Sequence, residues 1–276
     1  QFLSMEGDSQ GVLGVEVSIS ATTLAVAFAG ELSLGVYSDL GLWNHYRQLT
    51  SKEALRSITR WLYLDISDEE VCEYAYNKAL YLRSLPATPR ELAIEQAIAR
   101  YAINQAVERL RPTIAGRARI PGLLPPVEPI VATGNLLTQS PSLAHCCLML
   151  LDALQPVGVT TLVIDQNNLI SALGSIASLN PAMAVQIMDS ASFSPLGVVV
   201  SPVSYARPGT TILRVHLQYD GGEEKVEIKQ GSLQVLPLGI GRSASLHLKP
   251  LNGADIGLGP GRGARLNHVF GSALGL

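Results

Sequence analysis

Near its amino terminus the chain's apolar side chains change parity once. Leu13, Val15, Val17 and Ile19 occupy odd positions, whereas Leu24, Val26 and Phe28, and then Leu32, Leu34 and Val36, occupy even ones. Alternation with a period of two marks half-buried strands, and a flip between Ser20 and Thr23 requires a tight reversal there. The pattern predicts two antiparallel strands, and a third after Ala29-Gly30, opening an antiparallel meander.

Helix start signals follow in series. Thr50 with Glu53, Ser67 with Glu70 and Thr88 with Glu91 each set a capping oxygen three residues before a carboxylate. Pro89 suits a first helical position, where its missing N–H costs nothing. These signals predict helices over about 51–63, 68–84 and 89–111. The third has small or apolar residues on more than one face (Ala93, Ile94, Ala97, Ile98, Ile103, Ala106, Val107) and is expected to be central and buried.

After a loop from Gly116, the run Pro129 to Asn135 reads as a short buried strand entering a turn. A helix capped by Ser140-Pro141, a strand over 160–165, a helix near 167–178 and one capped by Asn180-Pro181 follow. Strands alternating with helices are the α/β signature. From Leu196 onward short strand patterns dominate, at 198–200, 211–219, 225–229, 233–238 and 244–248, with Asp220-Gly221-Gly222-Glu223 as a hairpin turn. A boundary near Pro195 divides the chain into an α/β lobe over 1–194 and an all-β domain over 195–276.

Composition narrows the function. A net charge of −3 supplies no phosphate-neutralising field and argues against a nucleic-acid partner. No apolar run reaches the roughly 18 to 20 residues of a membrane span. Cys72, Cys146 and Cys147 show no CxxC spacing, which argues against a disulfide framework or zinc site and fits a reducing cytoplasm. With 47% hydrophobic and only 16% charged residues, some apolar face is expected to meet another domain or subunit, a protein partner or a preceding lobe of the same chain.

Glu16, Ser18 and Thr22 stand at the spacing D-x-G-x-x-x-T of a phosphate-gripping hairpin. In such a hairpin the acid orients a magnesium-bound water, glycine lets backbone N–H groups reach phosphate, and the threonine hydroxyl donates to an oxygen. Ala132-Thr133-Gly134-Asn135, between a buried strand and a helix, has the form of a turn that passes beneath an adenine or ribose. The glycine-dense Asp255–Gly263 segment, with Gly259, Gly261 and Arg262, is a further candidate anion loop. It follows strands and opens no helix, so a plain β-domain loop is the stronger reading. The five histidines are far apart in sequence and show no ligand spacing.

Taken in order, the hairpin, the segment Tyr37-Ser-Asp39-Leu40-Gly41-Leu42, the 91–111 helix, Ile130–Leu137 and Thr161–Asp165 with Leu173-Gly174 resemble the C-terminal half of the glutamate mutase L proteins. These are actin-like ATPases associated with B12-dependent mutases, unrelated to the mismatch-repair protein of the same short name. The resemblance covers about residues 11–180. It implies an actin-like, ribonuclease-H-like half-domain before the mostly antiparallel β domain. It implies nucleotide contacts at Glu16, Ser18, Thr22, Thr23, Asp39, Gly134 and Asn135, with ATP or ADP and magnesium as the ligand of a complete two-lobed site and a B12-dependent mutase as partner.

The departures are equally specific. Glu16 replaces the family aspartate, Ser18 and Ile19 or Ser20 replace glycines, Asn135 replaces the second glycine of the adenosine turn, and no first phosphate hairpin is present in this chain. The expectation is a non-catalytic or weakly active nucleotide-binding interaction module, with no catalytic residue assigned. The alternative is a structural or assembly protein with a relic actin-like lobe and a β domain that does the binding.

Overall fold

The computed structural model describes residues 4, 10–41, 49–118, 120–188 and 192–276. The opening meander forms as β1 (Gly11–Val17), β2 (Thr22–Phe28) and β3 (Glu31–Tyr37). Its second turn is Ala29-Gly30, both at positive φ, the geometry that matches the right-handed twist of the flanking strands.

The helices α1 (Lys52–Thr59), α2 (Asp68–Leu80) and α3 (Pro89–Ile114) follow. Ser67 and Thr88 cap the last two as expected. The first is capped by Ser51, which accepts from the Ala54 N–H, and not by Thr50. Ser51 stands immediately before the first helical residue, so its oxygen is the one within reach of the third helical N–H. Two short helices and a strand come next: β4 (Val127–Thr133), α4 (Asn135–Thr138) and α5 (Leu143–Leu154). The cap of α5 is Ser142, which accepts from His145 N, and not Ser140. Then come β5 (Gly158–Asp165), α6 (Ile170–Ala177), α7 (Pro181–Met188), capped by Asn180, and β6 (Phe193–Ser201).

One mixed sheet runs in the order β3-β2-β1-β4-β5-β6. Strands β1, β4 and β5 are parallel, and antiparallel partners flank them. Helix α3 lies across the β1–β3 half and packs on α5. Ala93, Ala97, Ala102 and Ala106 bring its backbone close, while Ile94, Ile98 and Ile103 fill the core with Leu13, Val15, Leu24 and Val26. A buried aliphatic side chain contributes about 1.5–3 kcal/mol. This layer is the main source of the lobe's stability. Arg100 of α3 bonds Asp152 of α5 at 2.7 Å and ties the two helices at their rim.

On the sheet's other face, α6 and α7 cover β4 and β5 through Leu173, Ile170, Ile187, Val131 and Phe193. Over β1–β3 this second face is open among the described residues. Leu32, Leu34 and Val36 are 47%, 57% and 60% exposed there.

The second sheet, in the order β10-β9-β7-β8, is antiparallel throughout: β7 (Thr211–Tyr219), β8 (Gly222–Lys229), β9 (Ser243–Pro250) and β10 (Ala264–Phe270). Its core of Leu213, Val215, Leu217, Leu246 and Leu248 packs on Val159, Val198 and Val200 of the first sheet.

Two expectations about this region are corrected. The 198–200 pattern is not a strand of the β domain but part of β6, which pairs with the free edge of β5 from Gly158↔Ser201 to Asp165↔Phe193. Pro195 therefore lies inside a strand of the first sheet. The 233–238 segment is irregular. Pro237 has no N–H to give to a ladder, and what remains is a mutual pair of bonds between Leu236 and Leu276.

Candidate functional site

Chain order sets the location. From β1 the chain turns to β2 and β3 on one side, then returns through α1–α3 to β4 on β1's other side. Between β1 and β4 the winding reverses, and the carboxyl ends of parallel strands at such a switch point leave a crevice where ligands bind. The two turns singled out from sequence meet there.

The first turn, Ser18–Ala21, closes on itself. Ser18 N donates to Ala21 O at 3.0 Å, and Ser18 Oγ both accepts from Ala21 N at 3.1 Å and donates to Ala21 O at 2.9 Å. The second presses against the first. Gly134 sits at φ 97°, ψ 145°, and a Cβ there would stand 2.3 Å from Val17 O. On the opposite flank a Cβ at Gly41 would lie 2.5 Å from Ser20 O. Backbone contact from both sides thus holds the hairpin turn, at two positions where only glycine fits.

The register separates the predicted hairpin residues by face. Glu16 pairs with Thr23 and with Thr133, and Thr23 pairs with Val36. Glu16, Thr23 and Thr133 therefore form a polar row on the face away from α3, partly open at Thr23 and Glu16 and buried at Thr133. Neither Glu16 nor Thr23 bonds any other described side chain. Thr22 faces the other way. It is fully buried and donates to Leu40 O at 2.8 Å, closing the 3₁₀ turn Ser38–Leu40 onto β2. Asp39 of that turn is ion-paired to Arg109 of α3 at 2.6 Å. The structure thus sets Gly134 and Asn135 against the hairpin turn of Ser18, leaves Glu16 and Thr23 on the sheet face away from α3, and gives Thr22 and Asp39 internal partners.

Beyond Thr133 the row continues into residues not singled out from sequence. Asp165, completely buried at the end of β5, accepts from Thr133 Oγ1 at 3.2 Å and from Ile170 N at 2.8 Å. Its Oδ1 has no partner among the described residues. Asn168, in the left-handed conformation that asparagine tolerates, accepts from Thr133 Oγ1 and Gly134 N and donates to Asn135 Oδ1. This network fixes the Gly134 turn. Its sequence signal was an aspartate ending a buried strand, followed by paired asparagines.

Below the turn, on the α3 side, lies a cleft of about 940 Å³. Its walls are Val17–Ile19, the 82–89 loop, Gln96, Asn135 and the 139–141 turn. Two wall groups, Gln96 Nε2 and Ser140 Oγ, are shielded from solvent and have no hydrogen-bond partner among the described residues. A glutamine amid the alanines and isoleucines of α3 was the available signal.

Deeper in the wall Lys78 bonds Glu95 at 3.0 Å, and the Tyr74 hydroxyl donates to the same carboxylate. Burial, reinforced by that bond, pushes the Tyr74 hydroxyl well above its ordinary range.

The glycine loop of the second sheet is self-occupied. Asp255 Oδ1 accepts from Gly257 N and Gly259 N, both at 2.8 Å, and Gly261 N donates to Ala254 O. Its N–H groups face its own aspartate, and Arg262 packs over Gly259.

Magnesium takes oxygen ligands and usually reaches a protein with phosphate oxygens and waters attached. Among the described residues no cluster of three His, Cys, Asp or Glu side chains forms a cage. Glu16, an uncommitted carboxylate beside two threonines, suits the role of outer partner to a nucleotide-borne ion.

Comparison with known proteins places the chain. It matches the MutL protein family over residues 10–191, well over half its length. The chain belongs to this family, the glutamate mutase L proteins, as the order of its motifs implied. The matched span ends before β6, so the second sheet lies wholly outside it. No curated protein matches the chain. Among the described residues no helix is long and apolar enough to cross a membrane.

Proposed function

We propose that this chain is an actin-like nucleotide-binding lobe, non-catalytic or weakly active, that works in association with a B12-dependent mutase. One observation carries the nucleotide part. At the switch point between β1 and β4, the hairpin turn and the Gly134 turn converge on a cleft whose wall holds two unsatisfied buried polar groups, Gln96 Nε2 and Ser140 Oγ. A buried donor without a partner costs about 1–3 kcal/mol, and a ligand that bonds it recovers that cost. The cleft suits the base and ribose, and the Ser18–Ala21 turn at its rim suits the phosphate end. When bound, magnesium would neutralise phosphate charge beside Glu16.

Weak or absent hydrolysis follows from the side chains. Glu16 is one methylene longer than the family aspartate, and phosphoryl transfer depends chiefly on positioning. Ser18, in place of glycine, spends its hydroxyl and its N–H on the turn. The mutase association rests on family membership.

Calorimetric titration with magnesium-ADP and magnesium-ATP tests the reading. Saturable binding to the parent, weakened by Gln96→Leu with no loss of melting temperature, supports it. A silent titration with both nucleotides removes the nucleotide part.

The alternative, an assembly scaffold, is favoured by a separate observation. Leu32, Leu34 and Val36 on β3, and Leu233, Val235 and Ile240 in the second domain, are exposed apolar side chains. Under that reading self-association or mutase binding survives Gln96→Leu and fails on Leu34→Glu.

A further inference from the structure

The second sheet has a polar outer face whose organisation is visible only in the strand register. His216 pairs with Lys225 on β8 and with His247 on β9, and His247 pairs with Arg265 on β10. Four side chains, Lys225, His216, His247 and Arg265, therefore cross the whole sheet in one row. The two imidazole centroids are 5.8 Å apart. Arg214 and Lys249 stand in the adjoining row with Glu227. A shallow depression of about 730 Å³ lies over these residues.

The two halves of this face differ in charge balance. On the β7–β8 side, Glu223 binds Lys225 at 2.9 Å and His216 at 2.8 Å, and Glu227 binds Arg214 at 2.7 Å. On the β9–β10 side no carboxylate is supplied. Among the described residues Lys249 and Arg265 have no ion-pair partner, and His247 Nε2 is shielded from solvent with no hydrogen-bond partner. Two uncompensated cations and an unsatisfied imidazole nitrogen thus converge at one corner, on a chain whose net charge is −3.

We propose that the corner formed by Lys249, His247 and Arg265 is an anion site that takes the phosphate group of a small organophosphate. A guanidinium fork, an ammonium and an imidazole together match a compact dianion with several acceptor oxygens. On the β7–β8 side the ion pairs of Glu223 and Glu227 leave no cation of the depression free, so the site ends at this corner and suits a compact anion rather than an extended polyanion. The site is independent of the cleft in the first sheet, and its chemistry does not depend on a nucleotide there.

The test is calorimetric titration of the full chain with inorganic pyrophosphate at low ionic strength. Single-site binding is expected, weakened by at least about tenfold in the Lys249→Ala/Arg265→Ala double variant and by a smaller factor in His247→Gln. Arg214→Ala and Gln96→Leu leave it unchanged. All of these except Gln96→Leu alter the exposed face of a sheet, so unchanged melting temperatures are expected and serve as the folding control. Absence of saturable binding up to about 10 mM overturns the proposal. So does binding that survives the double variant, or binding abolished only by Gln96→Leu, which would send the anion to the cleft of the first sheet.

Discussion

Gly134→Ala is the sharpest probe of how the two turns hold the crevice. Gly134 sits at φ 97°, ψ 145°, a region open essentially to glycine alone, and placing a side chain there costs about 1–3 kcal/mol. The new Cβ would also stand 2.3 Å from Val17 O and 2.8 Å from Val17 N, against an ordinary contact of at least 3.4 Å. Both neighbours are backbone at the end of β1, held by pairing with Thr22, so no rotamer change relieves the contact. The hairpin itself must retreat by about 1 Å, and overpacking of this kind costs a further ~1–3 kcal/mol. The sum is about 2–6 kcal/mol, or roughly 8–16 °C in melting temperature at a central value near 4 kcal/mol for a chain of this size.

Gly174→Ala supplies the matched control. Gly174 lies within α6, at ordinary helical φ, and its Cβ would meet nothing within 4 Å. The same substitution there is expected to stabilise by about 0.5–1 kcal/mol, because alanine loses less backbone entropy than glycine. Urea unfolding followed by far-ultraviolet circular dichroism measures both. A Gly134→Ala midpoint within about 0.5 kcal/mol of the parent would refute the close-packed turn and the crevice geometry built on it.

Two further predictions test the interior. Burial pushes the Cys146 thiol up to about 12 and Cys147 to about 11, so both are protonated at pH 8 and should react with a thiol reagent only on unfolding, while partly buried Cys72, whose thiol burial raises less, reacts first; fast labelling of all three in the native protein would contradict the packing of α5. Lys78 and Glu95 are 4% and 13% exposed, so Lys78→Met strands a buried carboxylate and should cost about 3 kcal/mol. Adding Glu95→Gln, which keeps an acceptor for Tyr74, should restore most of that loss in chemical denaturation, and simple additivity of the two changes would show that the pair is not coupled.

How much was legible depended on whether the signal was local. Ser67 and Thr88 capped their helices because a capping bond spans three residues and needs nothing from the rest of the fold. Ser51 in place of Thr50, and Ser142 in place of Ser140, show the limit, since adjacent hydroxyls are equivalent until the first helical residue is fixed. Motif order pointed to the two turns, and the structure sets them against each other, with Gly134 on Val17. Gln96 and Ser140 were not legible as a pair, because the cleft they line forms only when the 82–89 loop folds over the turn after β4.

The sequence by itself determined the meander, its two reversals, the long central helix and the family. Parity, capping chemistry and residue order are properties of neighbours along the chain. Only the tertiary structure decided which face each side chain serves. Leu24 and Leu34 share parity, yet a two-residue turn pairs Leu24 with Gly35 and Ala25 with Leu34. Leu24 is therefore buried under α3 while Leu34 lies on the open face. In the same way β6 reads as the start of a β domain but completes the first sheet, because β5 presents a free edge there. His216 and His247, thirty-one positions apart in the chain, become neighbours because β7 and β9 pair in the register that sets them side by side. Pairing across strands is a long-range choice made by burial and hydrogen-bond closure, and no local pattern encodes it.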